Sequence, residues 1–298
     1  MNKSNLFIIS ITLMLTIIVF PPSRTNAQSE LLIRCDDMGM SHTVNMAVNK
    51  LIETGIPFSV SVMFACPWYQ EAVEILRDNP QVSAGVHLTL NSEWKNYKWG
   101  PVAGRTSVPS LVDSNGFFYE SDVDFINCGY KLDEVETELR AQIVRAINSG
   151  VKIDYVDAHM NMAFSTPELC SIVEKLAAEF NLGISHYFSE EYQTLWETAP
   201  EKKSSRLLEI INGINDKTLN LLVIHLGMET EEMLALVDLN YPADPYRVAQ
   251  HRQAELNALS SRIFETVVQK KNVKLITYKE LISRIGLKVM KQPDFSEF

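Results

Sequence analysis

The stretch LLIRCDDMGMSH, residues 31–42, decides how the rest of the chain is read. Leu31, Leu32 and Ile33 have the continuous apolar character of a buried strand, and after it Val44, Val48, Leu51 and Ile52 fall on one helical face. Between strand and helix stand two adjacent carboxylates, Asp36 and Asp37, followed by Gly39. They either sit in a solvated turn or hold something cationic.

Outward from this stretch, strand and helix patterns alternate. A strand is expected at 57–64 (PFSVSVMF), a helix opened by Pro67 and closed by Pro80, and a strand at 82–90 (VSAGVHLTL). After an aperiodic segment at 91–127, the stripe Val135, Leu139, Ile143 and Ile147 predicts a helix ending at Gly150, followed by a strand at 152–156. A helix opened by Pro167, a strand at 183–188, a short helix near 205–212 and the strongly apolar strand 219–227 come next. A long helix at 246–270, the strand VKLIT and a helix through KELISRIG complete the series. Strand then helix, repeated about seven times, implies a mainly parallel sheet covered on both faces, and a single α/β domain with barrel-like closure is the simplest expectation.

The chain begins with Lys3, an apolar run from Leu6 to Phe20, and small or polar residues ending in Thr25-Asn26-Ala27. This is the order of a secretory signal peptide, so residues 1–27 are expected to be a leader cleaved after Ala27, with residues 28–298 as the mature domain. The alternative is an uncleaved anchor, for which the run is short of the roughly 20 residues a spanning helix needs. Export to the periplasm or outside the cell follows from the leader, with no membrane span after its removal. The composition, 46% hydrophobic, supports a sizeable core, and the net charge of −10 excludes a nucleic-acid partner that needs a Lys/Arg-rich surface. Cys35, Cys66, Cys128 and Cys170 form no CxxC pair, and the first two with Cys170 are expected to be buried thiols. No sequence feature specifies an oligomeric state.

Parallel α/β folds gather the carboxyl ends of their strands on one rim. Asp36 and Asp37 follow strand one, while His87, His159 and His225 each fall near a strand end. The other three histidines lack this placement: His42 is a candidate helix cap, His251 reads as a solvated helix face, and His186 has no assigned role. A carboxylate with two imidazoles suits a divalent metal with open positions, although non-haem iron oxygenases use the same set. The spare groups separate the cases, since an unligated Asp36 can accept a proton from water and His225 can return one to a leaving group. Trp94, Tyr97 and Trp99 in the aperiodic segment either stack on sugar rings or anchor the loop to the barrel. The Arg34 side chain either enters the barrel or points away from it.

RCDDMGMS resembles the first motif of the YdjC-like carbohydrate deacetylases. GVHLTL (85–90), VPSLVDSNGFF (108–118), YVDAHMNM (155–162) and VIHLG (223–227) are similar to that family's later motifs, and HRQAELNAL and VKLITYKEL also have its character. The resemblance covers nearly the whole mature chain. It implies a distorted, incomplete (β/α) barrel of the polysaccharide-deacetylase type and metal-dependent removal of N-acetyl groups from amino sugars in oligosaccharides. One divalent ion, zinc or magnesium with manganese or cobalt as further options, would be bound by Asp37, His87 and His159. Asp36 would be the general base and a protonated His225 the acid for the departing amine, with Asp157 as a neighbour that fixes an imidazole or a substrate hydroxyl. Trp94 and Trp99 would support the metal shell or the sugar. The departures are Tyr155, Asn161 and Ala163, where many members carry further histidines, and Leu226 in place of a common proline. The rival readings are a metal-dependent hydrolase of an ester or phosphoester and a catalytically silent glycan-binding protein.

Overall fold

The computed structural model describes residues 28–294, so the expected leader at 1–27 and its cleavage point lie outside the described residues. Strand β1 runs over Glu30–Met38, and eight of its nine residues are buried, which is why it carries almost no period-two pattern. Helix α1 (His42–Ile52) follows, capped by the Ser41 hydroxyl rather than by His42, and leads through β2 (Ser59–Val62) and α2 (Tyr69–Asp78) to β3 (Ser83–Leu88). The long excursion after β3 contains α3 (Asp122–Asn127), and α4 (Leu132–Asn148), β4 (Ile153–Ala158), α5 (Pro167–Phe180), β5 (Gly183–Ile184) and β6 (Glu190–Thr194) come next. Helix α6 (Lys203–Gly213), β7 (Leu219–His225), α7 (Glu231–Leu234), α8 (Val248–Leu259), α9 (Arg262–Lys270), β8 (Lys274–Ile276) and α10 (Tyr278–Ile285) complete the described chain.

All ladders are parallel, in the order β5-β4-β3-β2-β1-β7-β6, with β8 also pairing with the start of β1. The sheet curls into a barrel that stays open between β5 and β6, as the incomplete-barrel expectation has it. The chain crosses this opening through His186 and Ser189, both in the left-handed region at φ 73° and 60°. Glu190 stabilises the crossing by accepting the backbone N–H groups of His186 and Phe188 at 3.0 and 2.7 Å and the Tyr278 hydroxyl at 2.9 Å.

Three sequence expectations are corrected here. The strand expected at 183–188 stops at Ile184, because His186 turns the chain. Strand β6, EEYQT, has too polar a composition to announce itself and was not expected. The long helix at 246–270 is two helices, broken at Ser260 and Ser261, where the Ser261 hydroxyl accepts the Phe264 N–H at 3.1 Å and so starts α9 afresh.

The aperiodic segment is ordered by its own core. Trp99, Val108, Leu111, Phe118 and Phe125 are buried, and isolated bridges pair Asn91 with Tyr119 and Trp94 with Asp238. All four cysteines are free, with Cys35, Cys66 and Cys170 buried as expected. Among the described residues no helix is long and apolar enough to cross a membrane.

Candidate active site

Register brings the reactive side chains together before any loop is considered. Asp36 on β1 is the direct partner of His225 on β7, and His87 on β3 is the partner of Asp157 on β4. Asp36 and Asp37 belong to β1 itself rather than following it. The β1–β2 register shifts between Cys35 and Met38, and Asp37 has φ 67°. Such an irregularity re-aims a side chain, which lets two consecutive carboxylates serve different neighbours.

Asp37 Oδ1 lies 3.2 Å from His87 Nε2 and 3.1 Å from His159 Nδ1, and the two imidazole nitrogens are 3.3 Å apart. All three groups are buried, and Asp37 Oδ1 has no hydrogen-bond donor. Metal–ligand bonds of about 2.1 Å place neighbouring ligand atoms roughly 3.0–3.4 Å apart, so the spacing fits a small divalent ion without discriminating among zinc, magnesium and their relatives. The outer contacts fit as well. His87 Nδ1 lies 3.1 Å from Asp157 Oδ1, and His159 Nε2 lies 3.0 Å from Glu93 Oε2, the carboxylate-to-imidazole arrangement that fixes a ligating ring.

Two arginines balance part of the negative charge. Arg34 enters the barrel, grips both oxygens of Asp36 at 2.7 and 2.8 Å, lies 3.0 Å from Asp157 and donates to Ser185 at 2.6 Å. Arg252, from α8, donates to Asp37 Oδ2 and so leaves Oδ1 for the imidazoles. Gly227 makes that approach possible: a Cβ there would come within 2.8 Å of the Arg252 Cβ. Asp36, Asp37, Glu93 and Asp157 against two guanidinium groups leave two negative charges when the imidazoles are neutral, the amount that one divalent cation offsets.

Titration follows the same layout. Burial pushes His87 down, but the carboxylates of Asp157 and Asp36 overcome it and hold the pKa up at about 10. Burial likewise opposes the charge on His159, and Glu93 and Asp37 raise it to about 9. Burial would raise Asp37, yet Arg252 and His159 keep it well below the usual carboxylate range. For His225 burial prevails over the opposing carboxylate of Asp37 and holds the pKa below the ordinary imidazole value.

These groups form the floor of a cavity of about 450 Å³, a size typical of small-molecule sites. Trp94, Tyr192, Trp196 and Tyr241 supply aromatic wall. Asp36, Asp37, His87, His159 and His225 all line it, as does Trp94, whereas Asp157 stands behind His87. Trp99 does not line it. Its indole is buried, donates to the Asn91 carbonyl at 2.8 Å and meets the His159 ring edge-on at 6.2 Å, so of its two expected roles it takes the anchoring one. Sequence reasoning missed Glu93, Arg252, His186 and Trp196, all in the cavity wall. It also misread His251, which is buried against Trp196 rather than solvated.

Comparison with known proteins shows the family and the fold. The model of the YdjC-like protein family matches residues 30–270. A carbohydrate deacetylase of Brevibacillus brevis is 24% identical over 275 residues, covering 85% of this chain and 99% of its own. Among solved structures, a protein of Enterococcus faecalis V583 provisionally assigned to cellobiose-phosphate cleavage superposes with a TM-score of 0.68 at 22% identity, over 85% of this chain and 99% of that one. The Xyl-CE4 domain of a multidomain xylanase from a Trinervitermes trinervoides hindgut metagenome gives 0.50 at 10% identity, over 87% and 92%. At these identities the two structures establish the shared fold.

Proposed function

Because the chain belongs to the YdjC-like family, we propose that it is a carbohydrate deacetylase, a metal-dependent hydrolase that removes N-acetyl groups from amino sugars in oligosaccharides. The observation that carries this reading is the convergence of Asp37, His87 and His159 on one point, with the separate carboxylate of Asp36 beside them on the cavity floor. Asp37, His87 and His159 would hold the ion. A divalent cation there would supply Lewis acidity toward water and the acyl carbonyl.

The remaining chemistry falls to the chain's own groups. Asp36 accepts the proton of the attacking water; Arg34 orients its carboxylate, and each oxygen keeps a lone pair beyond the one Arg34 uses. Among the described residues His225 Nδ1 has no hydrogen-bond partner, and burial holds its pKa low, so in this reading it takes up its proton within the reaction and returns it to the departing amine. Asp36 and His225 are register partners on β1 and β7, so the group that takes up a proton and the group that gives one stand on neighbouring strands. The aromatic wall suits the apolar face of a pyranose ring. A phosphoester is disfavoured because both floor arginines are already paired with carboxylates, and the site retains an excess of negative charge that a neutral acetamide tolerates.

The test is acetate release from N-acetylated oligosaccharides by protein stripped with a chelator and then reloaded separately with zinc, magnesium, manganese or cobalt. Activity restored by at least one ion supports the proposal. Tight metal binding with no acetate from any glycan would instead point to another hydrolysed bond, and glycan binding that needs no metal to a silent binding protein.

Two further outcomes are expected. Glu93→Gln, which weakens the carboxylate behind His159, should lower metal affinity by about 10–100-fold, measured by competition with a chelating dye. In metal-free protein both imidazoles have folded-state pKa values, about 10 and about 9, above their ordinary value of 6.5. Their contribution to stability is therefore complete below about pH 6.5 and is lost as the pH rises through 9 and 10. The melting temperature of the metal-free protein should fall from pH 7 to 10, and by less when metal already holds the imidazoles deprotonated. A flat profile for the metal-free protein would contradict the carboxylate placement.

A further inference from the structure

Beyond the lip of the catalytic cavity lies a second groove of about 640 Å³, and Met160 and Asn161 line both. These two residues follow His159 directly and are held in consecutive left-handed conformations, φ 49° and 55°, a backbone state that L side chains adopt at a cost and that is concentrated at functional sites. Met160 is 46% exposed, and its sulfur accepts the Asn91 amide at 2.8 Å. The groove is also lined by α3, where Ile126 is 48% exposed one turn after Asp122, by Phe164 and Thr166, and by the segment Gln292–Asp294. One excursion of the chain, between β3 and α4, thus supplies Glu93 and Trp94 to the first cavity and Asp122 and Ile126 to the second.

We propose that this groove binds the sugar rings adjoining the one being deacetylated, so that the enzyme selects oligosaccharides over the shortest acetylated sugars. The inference rests on the deacetylase reading and adds chain length to it. A pyranose ring offers an apolar C–H face and an edge of hydroxyls. The groove presents matching surfaces, with the exposed aliphatic side chains of Ile126 and Met160 beside the polar groups of Asp122, Asn161 and Thr166. Continuity through the shared lip is what identifies the occupant, since a chain lying in the cavity leaves across Met160 and Asn161.

The experiment compares kcat/KM for acetate release from the dimer and the tetramer of β-1,4-linked N-acetylglucosamine. Wild-type protein should prefer the tetramer by about tenfold or more. Ile126→Asp should lower the tetramer value by about tenfold and move the dimer value less than about twofold, and Ile126→Leu, which keeps the apolar surface, should retain the preference. A wild-type ratio near one, or a loss in Ile126→Asp that is equal on both substrates, overturns the groove. Failure of the deacetylase reading looks different, because neither sugar then yields acetate. In that event calorimetric titration of both sugars decides the groove alone: tighter binding of the tetramer that depends on Ile126 supports it, and equal binding overturns it.

Discussion

Asp36→Asn is expected to bind its divalent ion as the unaltered protein does and to release acetate between about a hundredfold and ten-thousandfold more slowly, the range that removal of a general base produces. Asp36 is outside the Asp37–His87–His159 trio, and its two oxygens face Arg34, so loss of its charge leaves the ion's three ligands in place. The amide cannot accept the proton of water. Stability is the control, because Arg34 is buried and loses an ionic partner. It keeps the Asp157 carboxylate at 3.0 Å and Ser185 at 2.6 Å, so the guanidinium is not stranded and the protein should still melt cooperatively. Metal content by elemental analysis together with the initial rate checks the prediction. Normal turnover would remove Asp36 from the mechanism.

For Asp37→Asn the expected outcome is opposite in kind, with loss of the ion first and of activity as a consequence. Arg252 donates to Oδ2, so the amide of an asparagine turns its oxygen toward the guanidinium. Its nitrogen, which has no free lone pair, then occupies the place of Oδ1 between the two imidazoles. Metal affinity should fall by more than about 100-fold, beyond what loss of a supporting carboxylate causes. The rate should fall with it and recover in part at high metal concentration. Excess metal should not rescue Asp36→Asn. Rescue of both variants, or of neither, would show that the two carboxylates do not divide the roles of ligand and base.

The contrast between these neighbours also marks how far the sequence could be read. Asp36, Asp37, His87, His159 and His225 were legible because each falls at a strand end and parallel strands share one rim, and the motif resemblance then singled out the trio. Asp157 was legible two residues before His159, inside the strand that His159 follows. Arg252 was not: it lies 215 residues from Asp37, in a helix whose sequence does not separate a buried from a solvated side, and the same ambiguity hid the burial of His251. Glu93 comes from an aperiodic excursion, where no repeating pattern indicates which residue points inward. His186 reaches the cavity because the strand ends at Ile184 and the chain turns through a left-handed conformation at His186, two residues on. The break at Ser260 and Ser261 escaped because the apolar pattern runs through it, and only the Ser261 hydroxyl's bond from the Phe264 N–H marks the new start.

By itself, the sequence determined the architecture and the set of reactive groups on the rim, because strand direction and alternation with helices leave little freedom in where strand ends meet. Only the tertiary structure decided that one oxygen of Asp37 faces two imidazole nitrogens at 3.1 and 3.2 Å while the other is held by Arg252. That division depends on the irregular backbone at Asp37 and on the close packing of α8 against Gly227, just beyond the end of β7. Both are products of contacts between segments far apart in the chain, and no local pattern encodes them.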